Sequence, residues 1–234
     1  MSRPVGTLEE VINESSGLIR SSDAEFLWTL NDSGDVARIF AIDHHGRLLG
    51  EVHIDDAINN DWEAITSDGN GHLLIGDVGN NANRRRDLTI YVVPEPDPSS
   101  ERVSAIESLH FSYPDQRSFP DDTNLNFDAE ALFSWRGRLF LLTKHRSDQN
   151  TALYVFPETW DEQPFELVRI SEATLGSMVT DAALSPDGEH LAVLTYEGIW
   201  IFEAPENGLD FLAEPLKKIG FHTKVTMQCE GLAW

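Results

Sequence analysis

The chain has 234 residues, with 40 acidic and 17 basic side chains and a formal net charge of −23. So large an acidic excess excludes the basic footprint that nucleic acids and anionic membrane surfaces demand. It suits a cationic partner such as a metal ion, and equally a lysine-poor, salt-adapted surface.

In chain order, the opening MSRPVGTLEEVINESS has no apolar core, so no signal peptide is visible and the chain as given reads as cytoplasmic. The single Cys229 makes no internal disulfide, and no apolar run approaches the roughly 20 residues of a membrane-spanning helix. Val5–Ile12 precedes the first repeat and is a candidate outer strand for a closing blade. The first unit then opens at SSGLI (Ser15–Ile19) and continues through apolar runs at Phe26–Leu30, Ala37–Ile42 and Leu48–Ile54, with the loop NDSGD between the first two. The second opens at DWEAI (Asp61–Ile65), turns at Asp68-Gly69, and runs through Leu73–Ile75, the loop GDVGNN, Leu88–Val93 and Ser108–Tyr113. Insertions rich in Pro, Ser and acid lie around Pro94–Glu101 and Tyr113–Asn126. The third opens at DAEAL (Asp128–Leu132), followed by Leu139–Thr143, the loop KHRSDQN, Ala152–Phe156 and Phe165–Ile170. The fourth opens at TDAAL (Thr180–Leu184), turns at Asp187-Gly188, and runs through Leu191–Thr195, Ile199–Phe202 and Leu216–Phe221. CEGLAW (Cys229–Trp234) opens a fifth.

Ser16, Glu63, Glu130, Asp181 and Glu230 align as blade starts, at spacings of 47, 67, 51 and 49 residues. Val, Ile, Phe and Tyr dominate the apolar runs, and Gly or Pro punctuates their boundaries. Four-stranded units of this length are the sequence sign of a β-propeller. The prediction is one all-β propeller domain over residues 1–234, with about five four-stranded blades and the last incomplete at the C-terminus. Two strands of that blade are missing, which predicts that more chain, or a partner, completes the ring and covers its open edge.

The stretches LNDSGDVARIFAIDHHGRLLG, NDWEAIT and LLIGDVGNNANRRRDLTIYVVPEP resemble bacterial β-propeller proteins related to the "esterase-like activity of phytase" and SdiA-regulated families. DAEAL, TKH (Thr143–His145) and CEGLAW match the same pattern. The resemblance covers most of the chain. It implies a propeller fold, and it implies calcium binding and export, which many of those proteins share.

Propeller topology predicts where chemistry gathers. The innermost strand of each blade begins on the face to which the loop between strands two and three returns. That places the opening acids Asp61, Glu63, Asp128, Glu130, Asp181 and Glu230 beside Asn31, Asp32, Ser33, Asp77, Asn80, Asn81, Lys144, His145 and Glu197. Carboxylates so close do not all stay ionised in a dry site without a cation. Glu63, Glu130, Asp181 and Glu230 are therefore candidate metal ligands, with Ca²⁺ the natural ion for oxygen donors. Asn31, Asp32, Asp77, Asn80 and Asn81 are candidate ligand-binding residues, although Asn-Asp-Ser-Gly and Gly-Asp-Val-Gly are also turn formers. Lys144, His145 and Arg85 are candidate catalytic groups for a developing negative charge. No serine-hydrolase elbow, phosphate loop, dinucleotide fingerprint or zinc spacing occurs. The favoured reading is a metal ion, with a small ligand, at an acidic axial mouth. One alternative is a calcium-assisted hydrolase of an ester, lactone or phosphoester. Another is a non-catalytic propeller that binds a protein partner on the same face.

Overall fold

The computed structural model describes residues 4–160, 163–221 and 229–234. Each repeat forms an antiparallel meander that starts at its innermost strand. Blade one contains β1 (Ser15–Arg20), β2 (Leu27–Asn31), β3 (Arg38–Ile42) and β4 (Leu48–Asp55). Blade two contains β5 (Trp62–Ser67), β6 (His72–Asp77) and β7 (Thr89–Pro94). The chain next forms β8 (Arg102–Ser104), and then β9 (Glu107–Ser112) completes blade two. Blade three contains β10 (Asp128–Trp135), β11 (Arg138–Lys144) and β12 (Asn150–Val155). A two-residue β13 (Phe165–Glu166) follows, and β14 (Val168–Thr174) ends blade three. Blade four contains β15 (Val179–Leu184), β16 (His190–Thr195), β17 (Gly198–Glu203) and β18 (Pro215–Gly220). No helix occurs among the described residues. The four sheets stand around one axis as a four-bladed β-propeller, with inner strands β1, β5, β10 and β15 neighbouring one another in turn.

The short strands β8 and β13 do not serve their own repeats. β8, from the second repeat, pairs in parallel with β4 of blade one. β13, from the third repeat, pairs in parallel with β9 of blade two. These two short strands thus stitch neighbouring blades and cover two sheet edges that would otherwise expose unpaired backbone.

The cores lie between sheets. Trp28, Leu30 and Ile39 of blade one meet Trp62, Ile75 and Val93 of blade two. Leu74 and Ile90 of blade two meet Leu132 and Tyr154 of blade three. Phe133 and Phe140 of blade three meet Val193, Phe202 and Phe211 on the blade-four side. Burial of these side chains is the main stabilising term.

Two expectations are corrected. The fifth blade start at Glu230 forms no strand. Cys229–Trp234 lies instead between β1 and β15, held by Gly17 N–H to the Glu230 carbonyl at 2.8 Å and by Thr180 Oγ1–H to the Cys229 carbonyl at 2.6 Å. Val5–Ile12 is not a strand either. Its Leu8, Val11 and Ile12 pack on Phe40 and Ile42, so it covers a flank of blade one.

Candidate functional site

Every inner strand carries a β-bulge at its start. The register between β1 and β2 shifts across Gly17, and that between β5 and β6 shifts across Glu63. The β10–β11 register shifts across Glu130, and the β15–β16 register across Thr180. A bulge leaves one residue unpaired and re-aims its side chain. The equivalent positions are therefore Gly17, Glu63, Glu130 and Thr180, so the sequence alignment of Ser16 and Asp181 is one residue out. Only blades two and three carry a carboxylate at the bulge.

Those two carboxylates meet. Glu63, Asp128 and Glu130 each offer an oxygen within 4.8 Å of the others, and all three are buried. Asp32, Asp61 and Glu63 form a second such group sharing Glu63, and there Asp32 and Asp61 are half-buried. Five acids thus surround one end of the axis.

The cations are unevenly distributed among them. Lys144 Nζ donates to Glu130 Oε1 at 2.8 Å, with both side chains at least 95% buried. Arg146 Nε donates to Asp128 Oδ2 at 2.8 Å. Asp32, Asp61 and Glu63 have no Lys or Arg within salt-bridge distance among the described residues. Among the described residues, Glu63 Oε2 accepts only the Ser16 hydroxyl, at 3.0 Å.

The acidities follow. Burial, then the charges of Glu130 and Asp32, push the Glu63 carboxyl well above the usual range. Burial, with Asp32 and Asp128, pushes Asp61 up to about 6, against some relief from Arg85. Burial and Asp128 raise Glu130, partly offset by Lys144. Burial alone would lower the Lys144 ammonium, but Glu130 outweighs it and holds the group above its ordinary value. Tyr196, whose ring lies 5.2 Å from Nζ, closes the same corner.

A supporting layer fixes these groups. Asp77, fully buried, accepts from the Asp61 N–H at 2.9 Å, from Asn60 Nδ2 at 3.1 Å and from Arg85 Nη1 at 2.9 Å. The Asn80 N–H donates to Asp128 Oδ1 at 2.7 Å, and its Nδ2 donates to the Phe127 carbonyl, tying blade two's loop to blade three. Asn81 Oδ1 accepts from Arg146. Gly79 is required by proximity: a Cβ there would lie 2.4 Å from the Asp61 carboxyl carbon.

Several candidates from the sequence lie elsewhere or are otherwise engaged. Arg85 is not free at the mouth. It binds Asp77, Asp87 at 3.0 Å and the Gly79 carbonyl at 2.9 Å. Asn31 spends its amide on the Val11 carbonyl at 2.9 Å and Asp35 Oδ2 at 2.8 Å. Asp181 is fully buried and accepts the Leu232 and Ala182 N–H groups, both at 2.7 Å, so it clamps the C-terminal segment. It lies one residue past the bulge and belongs to neither acidic triplet. Glu230 reaches Tyr196 Oη at 3.4 Å and belongs to neither acidic triplet. His145 faces a separate cavity with Asp115 and Glu172. Of the proposed catalytic groups, only Lys144 lies among the acids. Arg146 was missed: it is the third residue of Lys-His-Arg, and the matched motif stopped at His145.

The donor set fits a hard divalent cation. It is all oxygen, carries excess negative charge around Glu63, and is held in place by loop hydrogen bonds.

No family model matches the chain, so the resemblance drawn from its motifs rests on those motifs alone. No curated protein matches it either. Solved structures do. A luciferin-regenerating enzyme matches at 11% identity and a TM-score of 0.46, over 90% of this chain and 61% of that one. A gluconolactonase from Xanthomonas campestris matches at 14% identity and 0.44, over 89% and 62%. A protein of unknown function from Desulfotomaculum acetoxidans matches at 14% identity and 0.44, over 88% and 56%. The chain thus spans less than two thirds of the length of each of these proteins.

Proposed function

We propose that this propeller binds a divalent cation, Ca²⁺ by the chemistry of its donors, and a small ligand at the acidic axial mouth. The observation that carries the reading is the imbalance around Glu63. Lys144 and Arg146 already match Glu130 and Asp128, whereas among the described residues Asp32, Asp61 and Glu63 have no Lys or Arg within salt-bridge distance. Those three residues would hold the ion, and Glu130 would lie behind them. When bound, the ion would polarise an oxygen of the ligand. Arg146, about a third exposed, is placed to meet an anionic part of that ligand.

The calcium-assisted hydrolase of an ester, lactone or phosphoester is the second reading. It is favoured by the Lys144 and Arg146 cations beside the acids, where charge developing on an oxyanion would be met. Calcium titration of the chelator-treated protein tests the first reading. At 100-fold excess over Kd, binding to the folded state alone adds about 2.7 kcal/mol, which raises Tm by roughly 5–11 °C for a domain of this size. No binding heat and no shift in Tm would overturn it. Release of acid from ester, lactone and phosphoester panels, dependent on Ca²⁺ and lost in Arg146→Gln, would support the second reading.

A further inference from the structure

Outside the mouth, the loop after β11 turns His145 towards a different partner set. Its side chain is 5% exposed, and Nδ1 lies 3.0 Å from Asp148 Oδ1. Among the described residues the other ring nitrogen has no hydrogen-bond partner. The ring lines a polar cavity of about 140 Å³ together with Asp115, Tyr154, Arg169 and Glu172. One ligand atom from each of His145, Asp148 and Glu172 lies within 4.8 Å of the other two.

We propose that His145, Asp148 and Glu172 form a second divalent-metal site, distinct from the axial mouth, that takes a transition-metal ion of the zinc class. Three features support this. The carboxylates of Asp115, Asp148 and Glu172 against the single guanidinium of Arg169 leave a net charge of −2, which one divalent ion neutralises. The His145 ring is 5% exposed and lines the same cavity as Glu172, so an imidazole nitrogen stands beside both carboxylates. The set is also buttressed. Asn126 Nδ2 donates to Asp148 Oδ2 at 2.8 Å, and Asn150 Nδ2 donates to Glu172 Oε1 at 3.0 Å, the kind of outer contact that fixes metal-ligating groups. Tyr154 Oη holds Asp115 on the far wall, and Arg169 pairs with Asp115 at 3.5 Å and with Glu172 Oε2, leaving Glu172 Oε1 on the Asn150 side.

An imidazole ligand selects borderline metals over Ca²⁺, whereas the all-oxygen mouth selects the reverse. The two sites are therefore separable, and this proposal stands whether or not the mouth binds calcium. Co²⁺ is the probe, because its visible ligand-field absorption reports a nitrogen-containing site. Wild type, Glu63→Gln, His145→Gln and Glu172→Gln are titrated with Co²⁺ in excess Ca²⁺. Wild type and Glu63→Gln take up one equivalent with a visible band. His145→Gln loses the band, and Glu172→Gln binds at least about tenfold more weakly. Should His145→Gln fail to fold, Glu172→Gln decides, since that side chain is 39% exposed and tolerates the change. Absence of Co²⁺ uptake by wild type, or equal uptake by Glu172→Gln and wild type, overturns the proposal.

Discussion

Glu63→Gln and Glu130→Gln are the same chemical change at equivalent bulges on adjacent blades, yet the structure gives them opposite signs in metal-free protein. Glu130 is the partner of a Lys144 side chain that is 5% exposed. Removing its charge leaves a buried ammonium unmatched, at a cost of about 3–5 kcal/mol. At about 2–4 °C per kcal/mol for this chain length, Tm falls by roughly 6–20 °C. The low end is expected, because the Gln oxygen still accepts one hydrogen bond and the Tyr196 ring stays 5.2 Å from Nζ. Glu63 has no Lys or Arg partner among the described residues. Two like charges within 4.8 Å repel by about 3.5 kcal/mol at an effective dielectric constant near 20. Solvent at the half-buried Asp32 and Asp61 screens part of this, so the gain from Glu63→Gln is about 1–2 kcal/mol, a rise of roughly 2–8 °C. Calcium reverses the ranking of Glu63→Gln, since wild type gains the binding free energy and the variant loses a ligand. Thermal melts of the three proteins in chelator and in calcium measure all of this. Both variants rising in chelator would refute the assignment of Lys144 to Glu130, and both falling would refute the repulsion at Glu63. A full calcium response in Glu63→Gln would refute the placement of the ion.

Two further outcomes follow from the same contacts. Asp61 has its folded pKa raised from 3.8 to about 6, so its contribution to stability is present at low pH and lost as pH rises through that value. Metal-free protein therefore loses stability between about pH 4 and 6, and Asp61→Asn flattens that slope in pH-dependent urea melts. Asp181→Ala leaves the buried Ala182 N–H and the half-buried Leu232 N–H unpaired, lowering stability in denaturant melts by about 1–3 kcal/mol while calcium affinity stays unchanged.

Strand positions were legible because apolar runs and Asp-Gly turns mark them directly. Leu73–Ile75 lies within β6, and Leu191–Thr195 within β16. The gathering of acids at one mouth was also legible, since it follows from which ends of the strands share a face. What sequence reading lost was register. A bulge adds a single residue, and apolar patterning does not show whether Asp181 or Thr180 occupies it. The pairing of charges was equally hidden, because whether Arg146 or His145 turns towards Asp128 depends on the path of the β11–β12 loop. The crossing strands β8 and β13, three and two residues long, are too short to carry a period.

The stitching is asymmetric. Blades one and two are joined by β8 and a shared core, and blades two and three by β13 and another. Blades four and one meet through Cys229–Trp234, whose hydrogen bonds to Gly17, Thr180, Asp181 and Ala183 are each worth only about 0.5–1.5 kcal/mol net. Among the described residues the ring is therefore tied like a split washer, with its lightest junction between blades four and one. Tyr196 of blade four sits against Lys144 of blade three and reaches Glu230 in that same seam segment. The six-residue segment and the Lys144–Glu130 corner thus share one side chain, so the seam and the acidic mouth are mechanically linked through Tyr196.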